Sequence, residues 1–163
     1  MIRIGKIEGI GENDTILLRT AALFHDSGFL IEYDHNEKMG VLIMKSMLPK
    51  FGYTEEQILT IEKMILSTQS DIVPNTLLEQ ILCDADHDYL GKPEYLTIAT
   101  RLRKELELKG TCFADPDWIE FQLDYLENKH VYYTKTSKNM RNKGKLLRII
   151  ELKKQLELVH QLD

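Results

Sequence analysis

A succession of apolar segments with helical periodicity constrains this sequence most. Residues that begin or end helices separate the segments: Gly9 and Gly91 follow two of them, and Thr54 and Gln57 form a capping-box pattern before a third. The segment TILLRTAALFHD is apolar around most of its circumference, which is typical of a central helix. Strand-like sequence is limited to short stretches such as VYYT. The sequence therefore predicts an all-α fold, a single bundle of about seven to eight helices.

Length, composition and charge limit the kinds of protein that this chain can be. The chain has 163 residues, 43% of them hydrophobic, which predicts one domain over residues 1–163 with a real core. The net charge of -5 gives no strong signal for nucleic-acid binding. Residues 129–154, however, hold nine Lys or Arg and a single acid, Glu151. We interpret this segment as the solvated face of a long C-terminal helix, and weak nucleotide or RNA binding is the alternative.

Targeting and redox signals are few. Cys83 and Cys112 are not in a CxxC or Cys/His spacing, so a disulfide framework or a thiolate zinc site is not expected. No apolar run is long enough for a membrane span, and the first residues do not resemble a signal peptide. We expect a cytoplasmic protein with no membrane partner.

Two short stretches carry ionisable groups suited to chemistry. In AALFHDSGF, His25 and Asp26 place an imidazole beside a carboxylate at the end of a buried helix, and both suit a divalent transition metal. The alternative is that Asp26 caps a turn and His25 bonds to a backbone carbonyl. In ILCDADHDYLG, the acids Asp84, Asp86 and Asp88 lie close to a helix C-terminus. Carboxylates are electrostatically unfavourable there, which argues for a bound cation over simple hydration.

Together the two stretches resemble the HD superfamily of metal-dependent phosphohydrolases, which has an AALLHDxG-like helix end and a later DADxLxxxG-like segment on a helical scaffold. The resemblance covers roughly residues 2–92 and implies that His25, Asp26 and Asp86 are metal ligands. It also implies catalysis by a divalent ion (Mn, Fe, Co, Ni, Zn or Mg), with Asp26 as a catalytic ligand. Asp84 and Asp88 would be supporting or surface residues.

One element of the family pattern is missing. The first metal-ligating His of the family lies on a helix before the doublet, and no His precedes His25 in this sequence. We expect the sequence to begin inside that helix, which would leave apolar surface exposed and favour a homo-oligomer. A substituted ligand or a degenerate site is the alternative. His35, in a polar loop, is a candidate further metal ligand. Lys38 is a candidate catalytic cation for a phosphate, with Arg101 or Arg103 as alternatives.

The C-terminal half resembles the tail of one bacterial subgroup of these hydrolases, which has a Trp…Gln…Leu-x-x-His-x-Tyr-x-Thr pattern before a basic segment. The matching residues are Trp118, Gln122, His130, Tyr132 and Thr134, with a second tyrosine at Tyr133. We expect the aromatic positions to be ordinary helix core, because Trp118, Phe121 and Tyr125 recur at helical spacing. Donation to a phosphate is the alternative for several polar residues of this region, namely His130, Tyr132, Thr134, Lys135 and Arg141.

The resemblance thus implies a phosphohydrolase that acts on a phosphorylated small molecule. In this family the substrate is most often a nucleotide or cyclic nucleotide. A catalytically impaired domain that binds a nucleotide or a partner is the alternative.

Overall fold

The computed structural model describes residues 1–161, and these form eight α-helices with no β-strand, which confirms the predicted fold class. The helices are α1 (Ile2–Glu8), α2 (Glu12–Phe24), α3 (Asn36–Met47), α4 (Glu55–Leu66), α5 (Leu77–Asp86), α6 (Tyr95–Leu108), α7 (Asp115–Asp124) and α8 (Lys135–His160). Short 3-10 segments follow α2, α3 and α5, and one π-helical turn follows α7. Over the described residues, no helix is both long and apolar enough to cross a membrane.

Local sequence signals set several helix ends. Gly9 ends α1 in the left-handed conformation, at φ 80°, which glycine adopts without steric cost. At the start of α4, both bonds of the capping box are present. Gln57 N donates to Thr54 Oγ1 at 3.3 Å, and Thr54 N donates to Gln57 Oε1 at 2.9 Å. These bonds satisfy two backbone donors that the first helical turn leaves without intrahelical partners.

Two helix ends differ from the sequence-based expectation. The sequence suggests Asn13 or Asp14 as the cap of α2, but this helix already begins at Glu12, and Thr15 donates to the carbonyl of Gly11. The sequence also suggests that α5 continues to Leu90, but α5 ends at Asp86 and a 3-10 segment follows. An α-helix extended by further acidic residues would place more negative charge at its C-terminus, which the helix dipole disfavours.

The contact pattern divides the described chain into two compact units. The first comprises residues 1–86 and 133–136, and its core contains Leu18, Ala21, Ile61, Ile65 and Ile81 from α2, α4 and α5. The second comprises residues 87–132 and the chain from Ser137 onward. Its core contains Leu90, Tyr95, Trp118, Leu126 and Leu152. The single-domain organisation stays a prediction.

A glycine pair brings two backbones together in the second unit. A Cβ on Gly144 would lie 2.1 Å from the carbonyl oxygen of Gly91, and a Cβ on Gly91 would lie 2.5 Å from the carbonyl oxygen of Arg141. Only residues without a side chain allow this approach. A glycine inside a long helical segment can indicate a kink, but α8 continues through Gly144 without a break. The glycine therefore serves close packing at this point.

Candidate functional site

The candidate site lies where α2 and α5 end in the first unit. On α2, Leu18, Ala21 and Phe24 form a buried stripe at a spacing of three residues, and His25 follows directly. The backbone N–H of His25 donates to the carbonyl of Ala21, so the residue continues the last helical turn. Asp86 is the last residue of α5, whose buried face packs against α2. Packing of the two helices thus sets the position of both ionisable residues.

Three of the five predicted site residues come together here. His25 Nε2 lies 3.2 Å from Asp26 Oδ2 and 3.4 Å from Asp86 Oδ1. The side chains are 18%, 60% and 31% exposed respectively, so Asp26 is the one that reaches furthest into solvent. The two motifs, far apart in sequence, therefore meet through a single imidazole nitrogen.

The other ring nitrogen fixes the orientation of the imidazole. His25 Nδ1 lies 3.0 Å from the carbonyl oxygen of Ala22, which can only accept, so Nδ1 carries a proton. Nε2 therefore faces two carboxylates either as a second N–H donor or as a nitrogen that holds a cation. Such a backbone bond to the distal nitrogen is the usual arrangement of a metal-ligating His.

Burial and the neighbouring charges shift the pKa values of His25 and Asp26. Burial alone would lower the pKa of His25, but the hydrogen bond to Asp86, the charges of Asp26 and Asp86 and the Ala22 carbonyl outweigh it and raise the pKa to about 9. Burial raises the pKa of Asp26, the His25 charge lowers it, and the Asp86 charge raises it again. The two neighbouring carboxylates therefore favour the protonated form of His25.

Imidazole nitrogen and carboxylate oxygen are donors of the kind that divalent metal ions bind. Metal–nitrogen and metal–oxygen bonds of about 2.1 Å at angles near 90–110° place two ligand atoms about 3.0–3.4 Å apart. The distances from His25 Nε2 to both carboxylates fall in that range. Over residues 1–161, however, no group of three or more His, Cys, Asp or Glu side chains is positioned to hold a metal ion. The three donors would therefore form only part of a coordination shell.

A cavity of about 320 Å³ adjoins these donors. Its other lining residues are Met1, Ala22, Leu82 and Ala85. Ala22 precedes His25 by three positions and Leu82 precedes Asp86 by four, so helical periodicity could have identified both from the sequence. The lining contains no Lys or Arg. The cavity thus joins aliphatic walls to an end formed by one imidazole and two carboxylates.

The remaining two predicted site residues lie elsewhere. His35 is exposed at the N-cap position of α3, and Lys38 is exposed in the first turns of that helix. Neither is among the residues that line the cavity. Their roles as a further metal ligand and as the catalytic cation stay predictions.

The acids around Asp86 have separate structural roles. Asp84 was expected to be a supporting or surface residue, but its side chain is fully buried. It accepts hydrogen bonds from the backbone N–H groups of Tyr133 (2.7 Å) and Thr134 (2.8 Å), and from the Thr134 hydroxyl (2.6 Å). Glu8 accepts a further bond from the backbone N–H of Thr136 at 2.8 Å. These carboxylates hold the N-terminal end of α8, where negative charge is favourable.

Asp88 belongs to the second unit, where it pairs with two cations. Arg141 donates from Nε and, at 3.3 Å, from a terminal nitrogen, and Lys92 Nζ lies 2.5 Å away. Burial would raise the pKa of Asp88, but these partners lower it below its ordinary value. The alternative that Arg141 donates to a phosphate is thus weakened, because its guanidinium already has a carboxylate partner.

His87 and His130 also have partners within the protein. The acidic residues on either side of His87 in the sequence predict that it faces solvent, but it is half-buried and its Nε2 lies 2.7 Å from the Tyr125 hydroxyl. His130 is buried against the edge of the Tyr132 ring at 4.5 Å. The expectation for His87 was wrong because the sequence does not reveal the aromatic residues that cover it.

Comparison of the chain with family models, curated proteins and solved structures gives no significant match. Membership of the HD superfamily therefore stays a prediction that rests on the two motifs.

Proposed function

We propose that this protein is an HD-type metal-dependent phosphohydrolase that cleaves a phosphate ester, with a nucleotide or cyclic nucleotide as the favoured substrate class. The meeting of His25 Nε2 with the carboxylates of Asp26 and Asp86 at a cavity supports the proposal most strongly. Imidazole nitrogen and carboxylate oxygen form the donor set that the resemblance implies, and the two motifs contribute to it from different helices.

In the proposed mechanism, His25, Asp26 and Asp86 hold the ion. A divalent ion bound there would polarise a phosphoryl oxygen and lower the pKa of a water molecule. The bond from His25 Nδ1 to Ala22 keeps Nε2 directed at the carboxylates. Asp26, the most exposed of the three side chains, would contact substrate or water. Lys38 remains our candidate for neutralising phosphate charge from outside the cavity lining.

Metal binding and hydrolysis can be tested on the full chain. We expect the purified protein to bind about one equivalent of Mn²⁺, Ni²⁺ or Zn²⁺ by calorimetry and to hydrolyse members of a panel of phosphate esters, from bis-p-nitrophenyl phosphate to nucleoside monophosphates and cyclic nucleotides. His25→Ala and Asp86→Ala should each weaken metal binding by about a hundredfold or more, because they remove a ligand itself rather than its support. His160→Ala, an exposed imidazole on α8, is the control.

The outcomes separate the two candidate functions. The absence of a complete enclosing group in the described residues favours the alternative, a domain that binds a nucleotide without hydrolysing it. Metal binding with hydrolysis, both lost in His25→Ala, supports the enzyme. Nucleotide binding with no turnover under any metal supports the alternative. If the protein binds none of Mn²⁺, Ni²⁺ and Zn²⁺, the proposed enzyme is refuted.

A further inference from the structure

The second unit contains a cavity of about 220 Å³ whose walls are largely aromatic. Its aromatic members are Tyr89, Tyr95, Trp118, Phe121 and Tyr125, and His87 lies among them. The Trp118 and Phe121 rings stack at 5.5 Å with an interplanar angle of 19°, and Tyr89 and Tyr95 are nearly parallel at 11°. None of the candidate metal ligands lines this cavity. It is therefore a separate feature that the proposed hydrolysis does not use.

The size and charge of the cavity restrict what it could hold. An apolar cavity of about 150 Å³ is large enough to bind benzene, so this one accommodates one ring or a small fused pair. Among the described residues 1–161, no Lys, Arg, Asp or Glu lines it. A charged ligand is therefore disfavoured, because burial would remove the ligand's hydration without an opposite charge. Aromatic walls attract planar rings through offset or edge-to-face stacking.

Hydrogen bonds fix the polar groups of the walls. The Tyr95 hydroxyl donates to Gln122 Oε1 at 2.9 Å, and Gln122 Nε2 donates to the Trp118 carbonyl at 3.2 Å. His87 Nε2 and the Tyr125 hydroxyl are 2.7 Å apart. Binding to side chains that are already held in place costs less conformational entropy than binding to mobile ones. Phe121, 41% exposed, provides a side of the cavity that solvent can reach.

We propose that this cavity is a binding site for a neutral, planar molecule of one or two aromatic rings. Stacking on Trp118 and Phe121 provides the main attraction, and the His87–Tyr125 pair provides a polar end. The site is distinct from the candidate metal site and does not depend on the proposed hydrolysis.

Tryptophan fluorescence can detect binding at this site, because Trp118 is the only tryptophan in the sequence. Benzimidazole, a neutral two-ring probe near neutral pH, should change the tryptophan emission of the metal-free protein saturably, with a matching calorimetric signal. Cyclohexanol, which is neutral but not aromatic, should give neither. Leu102→Phe adds a ring to the wall of the cavity and should weaken benzimidazole binding by about tenfold or more.

A matched control lies two positions earlier on α6. Thr100 lines a neighbouring cavity of about 470 Å³, which shares Ala99, Trp118 and Gln122 with the aromatic one, but Thr100 itself does not line the aromatic cavity. Thr100→Phe should therefore leave the calorimetric affinity within about twofold. If Leu102→Phe does not fold, Phe121→Ala removes a stacking partner at the accessible side and should weaken binding as well. No saturable response in the wild type refutes the proposal, as does an equal affinity in the cavity variants and the control.

Discussion

Burial of His130 should make the stability of the protein depend on pH. The side chain is 6% exposed, and Lys145 Nζ donates to its carbonyl oxygen at 2.5 Å and approaches its Nδ1 at 3.2 Å. Burial, and then the charges of Lys145 and His87, lower the pKa of His130 from 6.5 to about 3. A proton on this imidazole would lie buried beside an ammonium group. The folded protein therefore keeps His130 neutral.

The sign and size of the effect follow from the two pKa values. The unfolded chain takes up the proton near pH 6.5, whereas the folded chain resists it down to about pH 3. The stabilisation is thus fully present above pH 6.5 and is lost as the pH falls through this window. Each pH unit costs about 1.4 kcal/mol, so lowering the pH to about 5 should remove about 2 kcal/mol of unfolding free energy.

Urea denaturation at several pH values would measure this loss, with Trp118 emission and circular dichroism as probes. His130→Asn keeps an acceptor near the position of Nδ1 but does not titrate, so the wild-type minus variant difference isolates His130. That difference should be flat above about pH 7 and fall by about 2 kcal/mol at about pH 5. His160→Asn, at an exposed position, is the control. A difference that changes by less than about 0.5 kcal/mol across this range would refute the reasoning.

Three further substitutions test packing and capping by urea denaturation. Asp84→Ala should cost about 3 kcal/mol, because Thr134 loses buried bonds from its N–H and its hydroxyl, and a cost below about 1 kcal/mol would contradict this role. Gly144→Ala should destabilise by about 1–3 kcal/mol, because its Cβ meets the Gly91 carbonyl. A net gain would show that the higher helix propensity of alanine prevails. Thr54→Ala should cost about 1 kcal/mol through loss of the capping box, and an unchanged midpoint would count against the observed bonds.

Helix ends that depend on residues nearby in the chain could be predicted from the sequence. The capping box at Thr54 and the left-handed Gly9 involve partners within a few positions, so the residue types alone indicate them. That His25 and Asp86 lie close together could be predicted only from the family resemblance, because helical periodicity does not relate residues so far apart in the sequence.

The different roles of Asp84 and Asp88 could not be predicted from the sequence, because their partners lie far away along the chain. Asp84 and Asp88 look alike in the sequence, yet one is buried against backbone donors of residues 133–134 and the other pairs with Arg141. Partners 49 to 53 positions away decide these environments. Helical periodicity assigns a residue to a face of its own helix and does not identify what packs against that face.

The hydrogen bonds of Asp84 also bear on the order in which the chain can fold during synthesis. Residues up to Asp86 complete α1 to α5, but the donors to Asp84 are translated about 50 positions later. Until Thr134 emerges from the ribosome, a nascent first unit contains a carboxylate that water alone can satisfy, so it cannot close fully around that position. A chain arrested before Thr134 should therefore be more sensitive to proteolysis than one arrested well beyond it, even though both already contain the first five helices.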